Sequence, residues 1–272
     1  MLTDFHTHSE VSQDSSAKMR DMVLAEAEYG IERMCFTDHC DMVNWRDYSF
    51  NDSCREVPAQ ELLRHREMLA SFGGRPPIEV GAGLELGEPL FDTELACELA
   101  KAEGLDFVLG SLHILRTHGD VWFIEYSSPE HCRRVLNDYL DELLKIAELD
   151  FFDVMAHIGY PVRCMRQSGF DICMTVGEYG EKIERILRLL IDKGQGIEIN
   201  CSGIRDGGES FPARDVLTLY RSLGGELITT GSDAHSPRNA AKCIREGQEL
   251  LRECGFKYAC AFRQRRAEFI KL

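Results

Sequence analysis

Residues 4–8 read Asp4-Phe5-His6-Thr7-His8, two histidines one residue apart on an apolar run. On a β-strand such a spacing points both imidazoles to the same side. One H-x-H carries little weight alone, and a satisfied polar pair on a strand explains it as well. Outward along the chain, however, the pattern recurs: CFTDH ends on His39, VLGSLH on His113, DVMAH on His157, and ITTGSDAH on Asp233 and His235. A further run, IEVGAGLE, ends on Glu85. Six of the nine histidines therefore close strand-like segments. Imidazoles and carboxylates are natural ligands for Zn, Mn or Fe. Their return at the carboxyl end of one strand after another implies an α/β barrel with a metal site in its mouth.

The rest of the pattern supports that architecture. Strand-like runs fall at 2–7, 33–38, 78–86, 107–113, 152–158, 196–201 and 227–232, with a possible last one at 256–262. Helical periodicity fills the gaps, at 17–29, 58–71, 92–103, 129–148, 175–193, 213–222 and 240–253. Regular β–α alternation means parallel strands with right-handed crossovers. No linker-like or low-complexity stretch divides the chain, so one domain over 1–272 is expected. The longer irregular pieces, 40–57, 159–174 and 203–211, follow strands and so fall on the same rim as the histidines, either as plain connections or as walls of a substrate site.

Bulk numbers narrow the function. A chain of 272 residues with 44% hydrophobic and 28% charged residues can bury a full barrel core. A formal charge of −15 disfavours a grip on nucleic acid through phosphate neutralisation. The eleven cysteines show no C-x-x-C pairing and read as small buried apolar residues of a reducing compartment. No apolar run approaches the ~20 residues of a membrane helix. No signal-peptide pattern precedes the first strand, so a cytoplasmic enzyme is the expectation.

Residue by residue, each site candidate has a plainer alternative. Asp14, in a Ser-Gln-Asp-Ser turn, reads alone as a helix cap. His39 is balanced between a ligand and a residue that orients one, and His113 and His157 are equally open. Glu85 lies in a Gly-rich apolar run, where a bare carboxylate is costly and must be paired or bound to metal. Asp233-Ala234-His235 repeats the spacing of His6 and His8 and follows Gly231-Ser232, which permits close backbone approach. His65 and His131 fall in helical stretches and read as surface residues. Nine potential ligands at successive strand ends are hard to place in a protein without metals.

The ordered series H-x-H, Ser-x-Asp-Ser, T-D-H, G-x-E, G-S-x-H, A-H and G-S-D-A-H resembles the PHP (polymerase and histidinol phosphatase) family across residues 4–236. GLELG around Glu85, HIGYPVR after His157, EINCSGIR around Asn200 and GSDAHSP are most similar to its monofunctional histidinol-phosphate phosphatases. The resemblance implies a distorted (βα)7 barrel with three divalent ions at the carboxyl ends of its strands. It implies His6, His8, Glu85 and Asp233 around the first ion. Glu85, as a bridge, joins His113 and His157 at the second, and Asp14, His39 and His235 hold the third. Many family members carry His where this chain has Asp14, and an oxygen donor there alters the third site. Glu85, Asp233 and His157 are the candidate catalytic residues.

Phosphomonoester hydrolysis suits such a centre, because two ions roughly 3.5–4 Å apart can share a hydroxide that attacks phosphorus in line. Arg163 and Arg205, on rim loops, are the candidate phosphate clamp, with Arg116 a third choice. Each also reads as a solvated loop arginine. Asp38 and Asp41 are placed to orient His39 or meet a cationic amine, Trp45 to stack on an imidazole, and His118 to face substrate. The expected partner is a small phosphate ester, L-histidinol phosphate first, with a nucleotide, sugar phosphate or phosphotyrosine as alternatives. Nucleic acid and membrane are not expected, and oligomeric state is not legible. A non-catalytic metal-holding barrel and a metal-dependent amidohydrolase are the competing classes. The latter lacks its bridging lysine here, since no lysine falls at an inward strand position.

Overall fold

In the computed structural model, which describes residues 1–272, the seven main apolar runs become one parallel sheet. Its strands are β1 (Thr3–Thr7), β2 (Arg33–Asp41), β3 (Glu79–Gly87) and β4 (Phe107–Ser111), followed after a small insertion by β7 (Val154–Met155), β8 (Gly196–Asn200) and β9 (Ile228–Gly231). The insertion is a two-stranded ribbon, β5 (Ile114–Leu115) and β6 (Gly119–Asp120). The sheet closes on itself: Asp233 N–H donates to the His6 carbonyl at 2.8 Å and His8 N–H to the Ala234 carbonyl at 2.9 Å. The result is a distorted (βα)7 barrel.

The helices are α1 (Met19–Tyr29), α2 (Val57–Ser71), α3 (Thr93–Ala100), α4 (Pro129–Ile146), α5 (Pro161–Gln167), α6 (Val176–Asp192), α7 (Ser202–Arg205), α8 (Arg214–Ser222) and α9 (Ile244–Glu253). Their starts follow from local chemistry. Asp92, Ser128 and Thr175 each accept a hydrogen bond from a first-turn N–H, and Pro129 occupies a position whose N–H has no partner to lose. The irregular rim loops are partly ordered: 159–174 contains α5, 203–211 overlaps the end of α7, and 40–57 includes a 3₁₀ turn at Asp52–Glu56. No helix is long and apolar enough to cross a membrane.

The run at 256–262 does not become an eighth barrel strand. Because β9 already bonds β1, no edge remains for it, and β10 (Tyr258–Arg263) pairs antiparallel with β11 (Arg266–Lys271). This hairpin plugs the amino-terminal end of the barrel. Phe262 packs on Phe107, which meets Phe5 edge-to-face with centroids 5.4 Å apart. Burying such an aromatic side chain stabilises the fold by about 1.5–3 kcal/mol. One end of the barrel is thus filled with apolar side chains, and the other is left for polar ones.

β1 shows how the polar end is built. Its register against β2 slips between Asp4 and Thr7. Phe5 faces the barrel interior and Asp4 the helical layer, where it meets Glu26 of α1. The slip lets His6 also turn inward, the use to which bulges are commonly put beside active sites.

Candidate metal centre in the barrel mouth

The structure brings all nine expected ligand residues into one cluster around Glu85. The Oε2 atom of this carboxylate lies 3.4 Å from His6 Nε2, 3.6 Å from His8 Nε2 and 2.9 Å from His39 Nδ1. Its Oε1 atom lies 3.1 Å from His113 Nε2 and 2.8 Å from His157 Nε2. Asp233 Oδ1 is 3.4 Å from His8 Nε2 and 3.6 Å from His235 Nδ1. Asp14, half exposed, joins the outer edge, with Oδ2 3.1 Å from His235 Nε2 and 3.5 Å from His39 Nε2. It does not cap α1, whose N-cap is Lys18. Four groups of donor atoms each lie within 4.8 Å of one another: His6-His8-Asp233, His6-Glu85-His157, His8-His39-His235 and His39-Asp41-His113.

These donors fit cations. His6 Nε2, His8 Nε2 and Glu85 Oε2 are buried and make no hydrogen bond, although they face one another. Such atoms are costly to bury without a partner, and divalent ions supply one. The electrostatics agree. Burial works against charge on His6, yet Glu198, Glu85 and Asp233 outweigh it and raise its pKa well above the usual value. His39 and His113 are raised likewise against burial, chiefly by Asp41 and by Glu85 respectively. Burial and the neighbouring His235 and His39 push His8 down to about 4, leaving a neutral imidazole. The carboxylates therefore demand positive charge, which protons on imidazoles meet when ions do not. Two of the residues also hold left-handed backbone, Asp233 at φ 55° and His157 at φ 22°. Such conformations cost about 1–3 kcal/mol each and gather at functional sites.

The arginines expected to clamp phosphate converge on the rim. Arg163 Nε donates to Asp206 Oδ2 at 2.8 Å, and the Coulombic pull of Asp233 reaches its guanidinium. Arg205 Nη1 donates to the Ser232 carbonyl at 2.8 Å, and its Nε lies 3.5 Å from Asp206 Oδ1. Asp41 sits inside the cluster, 3.6 Å from His39 Nδ1 and 3.7 Å from His113 Nδ1. Trp45 stacks on Phe123 at the rim, centroids 5.4 Å apart. The other two lie farther back: Arg116 bonds the Leu90 carbonyl, and His118 Nε2 lies 2.8 Å from Asp138 of α4. His65 is half buried, its Nε2 3.0 Å from the Val80 carbonyl, and is not a free surface residue.

Two supporting acids, Glu198 and Asp206, carry no sequence expectation, and a third, Asp38, acts otherwise than expected. Glu198, fully buried on β8, binds His6 Nδ1 at 2.8 Å through Oε1 and accepts the His157 N–H at 2.8 Å through Oε2. It fixes which nitrogen of His6 faces the centre. Its signal was present, since GIEIN puts a carboxylate in an apolar strand as GLE does for Glu85. Asp38 does not reach the His39 ring, and instead holds the backbone and hydroxyls of Ser9 and Ser12. Asp206 spaces the two arginines.

Glu198 has room only because residue 231 is glycine. A Cβ there would lie 2.0 Å from Glu198 Oε1 and 2.5 Å from His6 Cβ. Gly231→Ala is expected to displace Glu198 and weaken ion binding by about 10–100-fold. Competition with a metallochromic chelator measures this, and an affinity equal to the parent's would contradict it.

Comparison with known proteins adds to this geometry. Residues 4–202 match the family model described as PHP domain. A probable histidinol-phosphatase of Thermotoga maritima is 26% identical over 260 residues, covering 94% of each chain. A histidinol-phosphatase of Lactococcus lactis subsp. lactis is 28% identical over 265 residues, covering 95% of this chain and 93% of its own. The crystal structure of histidinol phosphate phosphatase from that organism, complexed with Zn, L-histidinol and phosphate, is similar over 98% of both chains, with TM-score 0.79 and 25% identity.

Proposed function

The chain belongs to the PHP domain family, and on that premise we propose that it is a histidinol-phosphatase, hydrolysing L-histidinol phosphate to L-histidinol and phosphate. One observation carries the reading. A mouth full of buried, unpaired metal-ligand atoms sits in a chain that matches, end to end, a phosphatase crystallised with Zn, L-histidinol and phosphate.

Residues 1–272 act as one barrel domain that would hold three divalent ions, Zn, Mn or Fe. His6, His8, Glu85 and Asp233 would hold the first, Glu85 with His113 and His157 the second, and Asp14, His39 and His235 the third. When bound, the ions supply a nucleophilic hydroxide at neutral pH and neutralise charge on the phosphoryl group. The chain's own residues do the rest. Glu85 and Asp233, held well below the usual carboxylate range against their burial by the surrounding imidazoles, stay ionised. Glu198 keeps the Nε2 lone pair of His6 turned inward. Arg163 and Arg205, spaced by Asp206, bind the non-bridging phosphoryl oxygens as donors placed before the substrate arrives. Asp41 orients His39 and His113, and Trp45 with Phe123 flanks the imidazole end of the substrate. Arg116 and His118, in the turn of the ribbon β5–β6, tie it to the Leu90 carbonyl and to Asp138 of α4. All eleven cysteines are unpaired, which supports the reducing cytoplasm as its compartment.

Arg163→Met is expected to lower kcat/KM by about 10²-fold, because one preorganised donor to the developing charge is lost. Steady-state kinetics on protein of unchanged metal content measures this, and a change under threefold would remove Arg163 from the clamp. The reading itself is tested by phosphate release from L-histidinol phosphate against nucleoside monophosphates, sugar phosphates and phosphotyrosine. A preference in kcat/KM of about 100-fold, roughly 2.7 kcal/mol of differential transition-state binding, is expected. A flat or inverted profile would assign a different phosphate ester.

A further inference from the structure

Behind the metal centre lie two pairs of buried carboxyl groups that the reaction does not use. Asp38, on β2, faces the helical layer and meets Glu61 of α2. Both are fully buried. Asp38 Oδ1 accepts from Ser9 N–H at 2.6 Å, Ser12 N–H at 3.1 Å and the Ser12 hydroxyl at 2.5 Å, while Oδ2 accepts from the Ser9 hydroxyl at 2.6 Å. Four donors thus point at Asp38, which accepts from every one of them. Glu61 has no donor on either oxygen. Two ionised carboxylates in contact away from water repel strongly, whereas a proton on one makes a short charge-assisted O–H···O bond. Burial, and then Asp38 itself, raise Glu61 well above the usual carboxylate range.

The chain of bonds continues into the centre. The Ser12 hydroxyl gives its one hydrogen to Asp38, so its lone pairs must accept. They take the His39 N–H at 3.0 Å and His8 Nδ1 at 3.0 Å. His8 therefore carries its proton on Nδ1 and turns a free Nε2 lone pair toward Glu85 and Asp233. One serine thereby sets the tautomer of one ligand and the backbone position of another.

We propose that Glu61 is a neutral hydrogen-bond donor to Asp38, and that the relay Glu61–Asp38–Ser12 positions His8 and His39 for the ions they flank. The proposal rests on the metal-centre reading above. Glu61 is a positioning residue with no contact to substrate or ion. The arrangement recurs on the neighbouring strand. Asp4 accepts from the N–H groups of His6 and Ser232 at 3.2 and 3.0 Å, and is backed by the buried Glu26 of α1.

If Glu61 serves only as a donor, glutamine replaces it and leucine does not. The experiment compares full-length Glu61→Gln, Glu61→Leu, Ser12→Ala and the Glu61→Leu/Ser12→Ala double variant. Zn affinity is read by chelator competition, and protonated carboxyl groups by infrared difference spectroscopy of the ion-free chain. Glu61→Gln is expected to keep Zn affinity within about twofold and to erase one buried-carboxyl band. Glu61→Leu and Ser12→Ala are each expected to weaken Zn binding by about 10–100-fold, and the double variant by little more than the worse single. Loss of affinity in Glu61→Gln equal to that in Glu61→Leu would overturn the neutral-donor assignment. So would the absence of a band that Glu61→Gln removes. Unchanged affinity in Ser12→Ala would overturn the relay, even if Glu61→Leu fails to fold. A parent chain that binds no Zn would overturn the metal-centre reading itself, while the infrared band would still decide the state of Glu61.

Discussion

Glu85→Gln is expected to lower kcat/KM for L-histidinol phosphate by about 10³-fold or more, with the circular-dichroism spectrum unchanged. Five imidazoles surround this one carboxylate, from His157 at 2.8 Å to His8 at 3.6 Å. Glutamine keeps the volume and one oxygen but loses the charge, and its amide N–H₂ turns donors toward lone pairs that await cations. On the proposed reading this removes a carboxylate that two ions would share, each of which would contribute several kcal/mol of transition-state charge stabilisation. Metal content and kcat/KM, measured on the same preparation, check this. A variant keeping a tenth of parental turnover would show that Glu85 does not bridge.

Stripping the ions has the second large effect, on stability as well as turnover. Any ion that binds only the folded chain contributes about 4 kcal/mol at a thousandfold excess over its Kd. The ion-free cluster recovers part of this by protonating His6, His39 and His113, so the net loss falls short of the sum over the three proposed sites. For a chain of this length, even one site's worth is expected to lower Tm by on the order of 10 °C. Scanning calorimetry before and after chelation, with readdition of Zn, measures the drop and its recovery. A Tm indifferent to ions would mean that the cluster is satisfied by protons alone.

Much of this was legible in the sequence because period-two runs ending in His, Asp or Glu report strand, direction and chemistry together. His6, His8, His39, Glu85, His113, His157, Asp233 and His235 were placed by that rule. Asp14 was not, for a turn aspartate has no period, and the family resemblance placed it instead. Glu198 lies in an apolar strand as Glu85 does, but it ends no run, and so the rule passes it by. Glu26 and Glu61 were invisible, since an acid on an amphipathic helix is ordinarily solvated, and only packing reveals that it faces a strand carboxylate. The last strand-like run, 256–262, does form a strand, Tyr258–Arg263, but periodicity cannot tell which edge a strand joins, and closure of β9 on β1 leaves it to pair in a separate hairpin. Arg116 and His118 were judged by proximity to His113 in sequence. In the structure they bond the Leu90 carbonyl and Asp138 of α4.

The most direct test of the central claim is to titrate Zn or Mn into the fully ion-free protein and follow phosphate release from L-histidinol phosphate against ions bound per chain. A multinuclear hydrolytic centre predicts negligible turnover at the first equivalent, a rise as the Glu85 bridge is completed, and a plateau near three. Full turnover without ions, or saturation at one, would contradict it.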